Sequence, residues 1–338
     1  MRCFLKCFYG YRNLWDEILF RWIVDYIHIN YPQIIDLTVE VADSAWMEHR
    51  FNINKLFITQ LLGYGRISWQ DKLPLTHFFD GAKKITFVEV SKDIRDNFSY
   101  DIYFFGGGEV FAESRWFHGW WNYYFRYLFA LYTKPFVLLG GIETPTSVWQ
   151  KILYKYLLPK AQLIVCRDEY SYQTALMYNT KSLLYQDFAI PVIHAYLHHY
   201  KHPTYIAGIT DKDHPRYLLI NMIPSMATEK SFVLIEQCIT YYNDSQLVYV
   251  HAGDQDKSYG EWMIWAYPDT QIYDRTEHSL HDTLALFAYA QAGIGCRLHF
   301  LLLLQELWRD RYALVYAEKV SKLITSTIPL QYDTHSEV

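Results

Sequence analysis

The sequence predicts an α/β fold with two Rossmann-like domains that face each other across a cleft. Short apolar runs that end in glycine or polar residues alternate with longer amphipathic segments, which is typical of parallel βαβ units. This alternation occurs twice along the 338 residues, and a chain of that length can form two separate cores. Between the two runs, residues 190–216 contain five of the fourteen histidines, three prolines and no clear periodicity. We therefore predict one domain over residues 1–195, a linker over 196–215 and a second domain over 216–338.

Each predicted element follows from its own pattern. The helix predicted over residues 15–29 places Ile18, Leu19 and Trp22 on one face. Further helices are predicted over residues 232–241, 280–290 and 298–306. Strands are predicted where a short apolar run ends at a turn, namely over residues 4–9, 34–39, 85–90, 102–105, 136–139, 163–166, 217–222, 247–251, 271–273, 292–295 and 313–316. In α/β sheets the loops after such strands carry ligands, so the candidate residues are sought there.

Composition and charge exclude several classes of protein. Apolar residues make up 51% of the chain and charged residues 20%, which is the balance of a folded globular protein. The net charge of −5 excludes general attraction to nucleic acid, so an anionic ligand needs a local cluster of cations. Five scattered cysteines without a Cys-x-x-Cys pair suggest a reducing compartment and no zinc site. With no apolar signal segment at the start of the chain, we expect a cytoplasmic location, with the inner face of the membrane as an alternative.

Two glycine-rich segments follow predicted strands in the first half. Gly106, Gly107 and Gly108 come after residues 102–105, and Gly140 and Gly141 come after residues 136–139. A backbone without side chains can approach an anion closely and offer its N–H groups. Glycine is also the ordinary way to turn sharply off a strand, so both interpretations stay open. Neither segment fits a nucleotide-binding fingerprint, which disfavours a dinucleotide or P-loop site.

Arg167 follows another predicted strand and could point toward an anion. Asp168 or Ser171 can begin a helix there, in which case the segment could be a capping motif with a surface arginine. Asp187 is open to both a binding and a structural interpretation.

Arg297 and His299 form the most informative local cluster. They lie two residues apart, on the same side of the chain if this stretch is extended, and the N-terminus of the following helix adds partial positive charge. Arginine binds carboxylate or phosphate through two N–H groups, and histidine can donate a proton near neutral pH. The pair predicts an anion site, with a hydrogen-bonded core histidine as the alternative. Lys319 is a further candidate cation, although most lysines are simply solvated.

Taken in order, these segments resemble the polysaccharide pyruvyl transferase family. The family's Gly-Asn-x-Gly-Asp-Glu signature is similar to the segment that holds Asn13, Asp16 and Glu17. The resemblance continues through the later segments of the chain, from about residue 4 to 322: the triple glycine at Gly106, Lys134-Pro135 before Gly140-Gly141, Arg167-Asp168-Glu169 with Ser171, Asp187-Phe188-Ala189, and Arg297-Leu298-His299 followed by Tyr316 and Lys319.

The resemblance implies a GT-B-like fold and the transfer of pyruvate from phosphoenolpyruvate to a sugar as a cyclic ketal, in the synthesis of cell-surface polysaccharides. On this interpretation Arg167, Arg297 and Lys319 hold the carboxylate and phosphate of the donor. His299 is the general acid that protonates C3 of the donor, and Asp16 is the base that accepts the proton of the sugar hydroxyl. The other expected substrate-binding residues are Asn13, Glu17, Gly107, Gly108, Gly141 and Asp187. We expect no metal and no cofactor besides the donor substrate.

Two other functions fit the same observations. The chain could be a glycosyltransferase that uses a nucleotide sugar, because one fold serves several chemistries. It could also be a catalytically silent glycan-binding protein. Residues 116–132, from Trp116 to Tyr132, bear on the acceptor, since an aromatic face could rest on a membrane interface and meet a lipid-linked glycan. Aromatic helices are more often part of a core, so both interpretations stay open.

The first motif departs from the family pattern at two positions. Tyr11 and Trp15 stand where the family has glycine, and Ala292 replaces an acidic residue often found shortly before the arginine. Either Trp15 narrows the acceptor site, or its codon was misread, because UGA specifies glycine in some genetic codes. We predict from the sequence that Trp15→Gly relieves strain in a tight turn.

Overall fold

The computed structural model describes residues 1–9, 14–49, 84–89, 99–111, 127, 131–199, 216–223, 228–243, 245–251, 256–307 and 309–313. The chain divides into two compact units, and, apart from the few residues before Asp16 that group with the second unit, the division falls between Val192 and Ile193. Each unit is built on a parallel sheet whose strands are connected mainly through helices. This arrangement confirms the predicted α/β fold with two Rossmann-like units.

The first unit is built on seven strands joined by helices, and the helix after its last strand continues past the division into the second unit. The bounds of these elements are β1 (Arg2–Tyr9), α1 (Leu14–Asn30), β2 (Asp36–Val41), β3 (Lys84–Glu89), β4 (Ile102–Phe111), β5 (Phe136–Ile142), α2 (Val148–Leu157), β6 (Leu163–Cys166), α3 (Glu169–Leu176), β7 (Ser182–Leu184) and α4 (Ala189–His199). The strands stand in the order β3-β2-β1-β4-β5-β6-β7. Every residue of β5 is buried, which explains why this strand is a continuous apolar run rather than an alternating one.

The second unit repeats the pattern with five strands. Its elements are β8 (Tyr217–Asn221), α5 (Glu229–Tyr241), β9 (Gln246–His251), α6 (Lys257–Ala266), β10 (Gln271–Asp274), α7 (Leu280–Tyr289), β11 (Ala292–Gly295), α8 (Leu298–Glu306) and β12 (Asp310–Ala313). The strands stand in the order β10-β9-β8-β11-β12, and all of their pairs are parallel. Buried residues of β8, β9 and β11 pack with the inner faces of α5 and α6 to form the core.

The structure corrects the predicted linker. Residues 196–199 belong to the last turn of α4, and residues 200–215 lie outside the described part of the chain. This helix was not predicted from the sequence, because Pro191 suggests a break in a helix. Pro191 falls in the first helical turn, where the missing N–H has no partner to lose. Ala189, Val192 and Ile193 are buried at helical spacing.

Other elements differ from the sequence prediction at their ends. β4 and β5 run on through their glycines, and β2 begins two residues later than predicted. β7, α2 and α6 were not predicted at all. The last strand, β12, begins at Asp310 and is described as far as Ala313. Residues 314–316 of the predicted strand lie outside the described residues. No helix in the described ranges is long and apolar enough to cross a bilayer.

Candidate functional site

The strand order places one candidate ligand site in each unit. In the first sheet the order reverses between β1 and β4, and in the second between β8 and β11. At each of these two switch points the connections leave the neighbouring strands in opposite directions, which opens a crevice beyond the carboxyl ends of the strands. The predicted site residues of each half are therefore expected around these two points.

The triple glycine of the first unit lies inside a strand and not in a turn after it, which corrects the prediction. β4 continues to Phe111, and its register against β5 shifts after Gly106. Gly107 has a φ of 124°, which L-residues rarely adopt. At Gly106 a Cβ would stand 2.6 Å from Cδ1 of Ile23, so α1 packs too closely on the strand for a side chain. These glycines therefore form a bulge at the switch point.

Arg167, Gly108 and Gly141 come together at the carboxyl end of the sheet. Arg167 follows β6 and is buried, and its Nε lies 3.4 Å from a carboxylate oxygen of Asp168. A Cβ at Gly141 would stand 3.2 Å from Nε of Arg167, and one at Gly108 would stand 3.9 Å from its Nη1. The guanidinium thus lies against two backbone positions that carry no side chain.

Gly140 allows a sharp test of this packing. Its φ is 155°, and a Cβ there would stand 2.8 Å from the carbonyl oxygen of Gly107. We expect Gly140→Ala to lower the free energy of unfolding by about 1–3 kcal/mol, because backbone strain adds to a clash that flexible side chains cannot relieve. Gly108→Ala is the matched control, since its Cβ meets only ordinary contacts. Urea unfolding of both variants measures the difference, and equal stability would show that the bulge is not tightly packed.

Asp168 begins α3, as one of the two sequence alternatives predicted. Its side chain accepts a hydrogen bond of 2.7 Å from the N–H of Ser171. The hydroxyl of Ser171 in turn accepts the N–H of Ile142, at 2.9 Å, and so connects α3 to the end of β5. Asp187 accepts the N–H of Ala189 at 2.9 Å and stands at the beginning of α4. Asp187 therefore has a structural role at the start of α4, and its binding role stays a prediction.

The residues of the first motif fall around the start of α1. Asp16 and the buried Glu17 lie in the first turn of this helix, where the partial positive charge of the N-terminus favours carboxylates. Asn13 lies outside the described residues. Because the helix begins at Leu14, residue 15 is helical and not part of a tight turn. The prediction that Trp15→Gly relieves strain in a tight turn is therefore wrong, because residue 15 lies in a helix. Glycine within a helix is about 1 kcal/mol less favourable than alanine.

In the second unit, Arg297 is held by a carboxylate that the sequence analysis did not single out. Asp256, which precedes α6, is fully buried, and its Oδ1 accepts a hydrogen bond of 2.6 Å from Nη2 of Arg297. The amide of Asn221, at the end of β8, donates to Oδ2 of the same carboxylate at 3.2 Å. Arg297 follows β11 and keeps 24% of its side chain exposed, so the ion pair fixes a cation that still reaches solvent. These residues lie around the second switch point.

His299 lies in the first turn of α8, directly beside Arg297. The prediction assumed an extended chain through both residues, but only Arg297 is extended, with φ −78° and ψ 127°. Leu298 and His299 are already helical, because the apolar run Phe300–Leu304 packs into the core as part of α8. His299 is half-buried at the N-terminus of this helix. Arg297 and His299 thus both lie at the N-terminus of α8, through a backbone geometry that differs from the predicted one.

The cysteines beside these two places are not nucleophiles. Burial raises the pKa of Cys296, next to Arg297, to about 11 and that of Cys166, next to Arg167, to about 12. Both thiols are therefore protonated at neutral pH, and only a thiolate attacks readily.

A second polar cluster in this unit was missed from the sequence. His251 ends β9 and Asp274 ends the neighbouring β10, with Nδ1 of His251 3.9 Å from a carboxylate oxygen of Asp274. Nζ of Lys257 lies 3.5 Å from the same oxygen. His251, together with Thr276 and Lys257, holds the pKa of Asp274 well below its usual range. Their positions at the ends of two predicted strands are the signal in the sequence that could have identified them.

Several predicted features lie wholly or partly outside the described residues. Lys319 is one of them, and so is most of residues 116–132. Of that segment Tyr127 is fully buried, and its hydroxyl donates to the carboxylate of Glu40, which also pairs with the buried Lys6. Tyr127 thus belongs to the core, whereas Tyr132 is exposed. Within the described part of the chain, no group of three or more potential ligands could hold a metal ion.

The sequence matches one family over most of its length. The sequence model of the family described as polysaccharide pyruvyl transferase matches residues 7–303 of the 338 residues. The matched span includes Asp16, Arg167, Arg297 and His299. No curated protein matches the chain significantly.

Solved structures with a similar fold are remote in sequence. The S. aureus MnaA–UDP co-structure superposes with a TM-score of 0.56 at 10% identity, covering 94% of this chain and 80% of that one. A Methanocaldococcus jannaschii UDP-GlcNAc 2-epimerase in complex with UDP-GlcNAc and UDP gives a TM-score of 0.54 at 11% identity, covering 96% and 87%. At such identities the likeness shows the fold alone, which is GT-B-like.

Proposed function

Because the chain belongs to the polysaccharide pyruvyl transferase family, we propose that it transfers pyruvate from phosphoenolpyruvate to two hydroxyls of a sugar as a cyclic ketal. The observation that supports this proposal most is the placement of Arg297 and His299 at the N-terminus of α8, with Asp256 fixing the arginine. An anion-binding cation next to a proton donor is what this donor requires.

The donor carries a carboxylate and a phosphate, whereas the protein is acidic overall, with a net charge of −5. A guanidinium has more N–H donors than one carboxylate oxygen uses, so Arg297 can bind Asp256 and still offer N–H groups to the donor. The N-terminus of α8 adds favourable interaction with either anionic group. Arg167 is a second candidate, supported by its contact with the side-chain-free positions Gly108 and Gly141.

The proposed reaction begins with proton transfer from His299 to C3 of the enol, which leaves an oxocarbenium-like centre at C2. One sugar hydroxyl then adds to C2 and gives its proton to a base. Cleavage of the bond between C2 and the phosphate oxygen releases inorganic phosphate, which takes the proton from the base as it leaves. The second hydroxyl forms the other C–O bond of the ketal and gives its proton to the neutral His299, which restores the acid. Asp16 is the proposed base, with Glu17 or Asp187 as alternatives. The scheme uses no metal and no redox cofactor.

Release of inorganic phosphate from phosphoenolpyruvate tests the proposal. The full chain is incubated with the donor and a panel of saccharides and lipid-linked glycans, and the ketal is identified by mass and by NMR. We expect phosphate and ketal in equal amounts with at least one acceptor. The nucleotide-sugar alternative predicts instead that UDP-sugars bind and UDP is released. Glycan binding without turnover of either donor would support a silent binding protein and overturn the proposal.

A further inference from the structure

The outer face of α2 carries a continuous apolar surface that the protein leaves open. Residues 148, 152 and 156 recur every four positions and so form one stripe along the helix. The whole surface, called the α2 surface below, consists of Val148, Trp149, Lys151, Ile152, Lys155 and Tyr156. All six side chains are exposed, and Trp149 keeps 67% of its area accessible. The opposite face of the same helix, with Gln150, Tyr154 and Leu157, is buried, so the orientation of α2 is fixed.

The arrangement of charge on this surface is regular. With a helical period of 3.6 residues, Lys151 and Lys155 lie along one side of the apolar stripe, and Trp149 lies along the other. α2 contains no acidic residue. Just beyond the helix in the chain, Nζ of Lys160 lies 3.7 Å from the centre of the exposed Tyr132 ring. A locally basic surface on a protein of net charge −5 favours an anionic partner.

The outer faces of α5 and α6 also carry exposed apolar side chains, but without this arrangement of charge. On the outer face of α5, Val233 and Tyr241 are accompanied by Glu229 and Glu236, which would repel an anionic surface. Trp265 on α6 is 79% exposed, but the same helix carries the exposed Glu261. Scattered exposures of this kind are normal and need no partner.

We infer that the α2 surface docks on a lipid bilayer that contains anionic headgroups. Tryptophan and tyrosine favour the boundary between headgroups and acyl chains, and lysines beside them bind anionic lipid. A second copy of the chain is a poorer occupant. A helix of this length is about 15 Å long and about 10 Å wide, far short of the roughly 800 Å² per partner of a stable interface.

The position of α2 gives this contact a consequence for the first unit. Val148 comes seven residues after Gly141 (148 − 141 = 7), which contacts Arg167 at the carboxyl end of the sheet. Docking through α2 would therefore hold this end of the first unit near lipid headgroups. The inference does not depend on the proposed reaction.

Vesicle co-sedimentation of the full chain tests the inference. We expect binding to vesicles of equal parts phosphatidylglycerol and phosphatidylcholine, little binding to phosphatidylcholine alone, and weaker binding as salt is raised. Trp149→Ser should weaken binding about tenfold through lost apolar contact. Lys151→Gln and Lys155→Gln should each weaken it about fivefold.

Two control variants separate this surface from general effects. Trp265→Ser removes another exposed tryptophan, and Lys181→Gln removes an exposed lysine outside α2; both variants should bind like the original protein. All variants should unfold at the same temperature, and phosphate release with a soluble acceptor should be unchanged, so failure here is distinguishable from failure of the proposed function. Unchanged vesicle binding in Trp149→Ser, no binding by the original protein, or a dimer that Trp149→Ser dissociates would overturn the inference.

Discussion

His299→Gln is expected to lower turnover by about a hundredfold or more, with a much smaller change in the affinity for phosphoenolpyruvate. A general acid acts mainly in the transition state, so its removal lowers kcat more than it weakens the ground-state complex. Glutamine keeps a hydrogen-bonding group of similar length at the N-terminus of α8 but cannot deliver a proton at neutral pH. Turnover is measured by phosphate release, and donor affinity by calorimetry.

The chain offers a suitable control for this experiment. His194 on α4 pairs with Glu306 at the other end of α8, with Nε2 and Oε2 2.8 Å apart. His194→Gln therefore perturbs the same helix through an exposed histidine without removing the proposed acid. It should retain nearly full turnover. Equal losses in both variants would show that the effect comes from α8 as a helix, and full activity of His299→Gln would exclude His299 as the acid.

The sequence was sufficient to predict the elements whose ends are marked by a strong local signal. The strand Leu163–Cys166, the strand Ala292–Gly295 and the helix Leu298–Glu306 agree with their predicted bounds. In each case a short apolar run meets a polar residue or a turn, so hydrophobic burial and chain direction change at the same place. The glycine segments were predicted less well, since glycine in a bulge within a strand and glycine in a turn look alike in one sequence.

Contacts between distant residues explain most of what the sequence analysis missed. Asp256 and Arg297 are 41 residues apart, and neither periodicity nor a local motif connects them. Asp256 is drawn to the site because β8 and β9 are neighbours in the sheet, and a buried carboxylate needs a cation and hydrogen-bond donors to be stable. Only the strand order shows this. The predicted cation Arg297 was found because its signal, a strand end followed by a helix, is local.

The last prediction concerns the coupling between Asp256 and Arg297. Asp256 is proposed as a positioning residue, because it touches the arginine and is itself fully buried. Arg297→Lys should weaken phosphoenolpyruvate binding about tenfold, because the ammonium group of lysine cannot form the two parallel hydrogen bonds that a guanidinium forms with a carboxylate or phosphate. Asp256→Asn should weaken it by a similar factor, because the amide keeps the size of the side chain but no longer holds the guanidinium by charge. In both variants the KM for the donor should change more than kcat.

The double variant distinguishes positioning from two independent effects. If Asp256 acts through Arg297, Asp256→Asn combined with Arg297→Lys should bind the donor about as weakly as Arg297→Lys alone, whereas independent effects would multiply to about a hundredfold. Asp274→Asn is the matched control, because this carboxylate ends the neighbouring strand and pairs with Lys257 and not with Arg297. Thermal unfolding identifies any variant that fails to fold, and Arg297→Lys, at a partly exposed position, keeps the test decisive if Asp256→Asn is unstable. Full multiplication of the two effects would mean that Asp256 stabilises the unit without orienting the arginine.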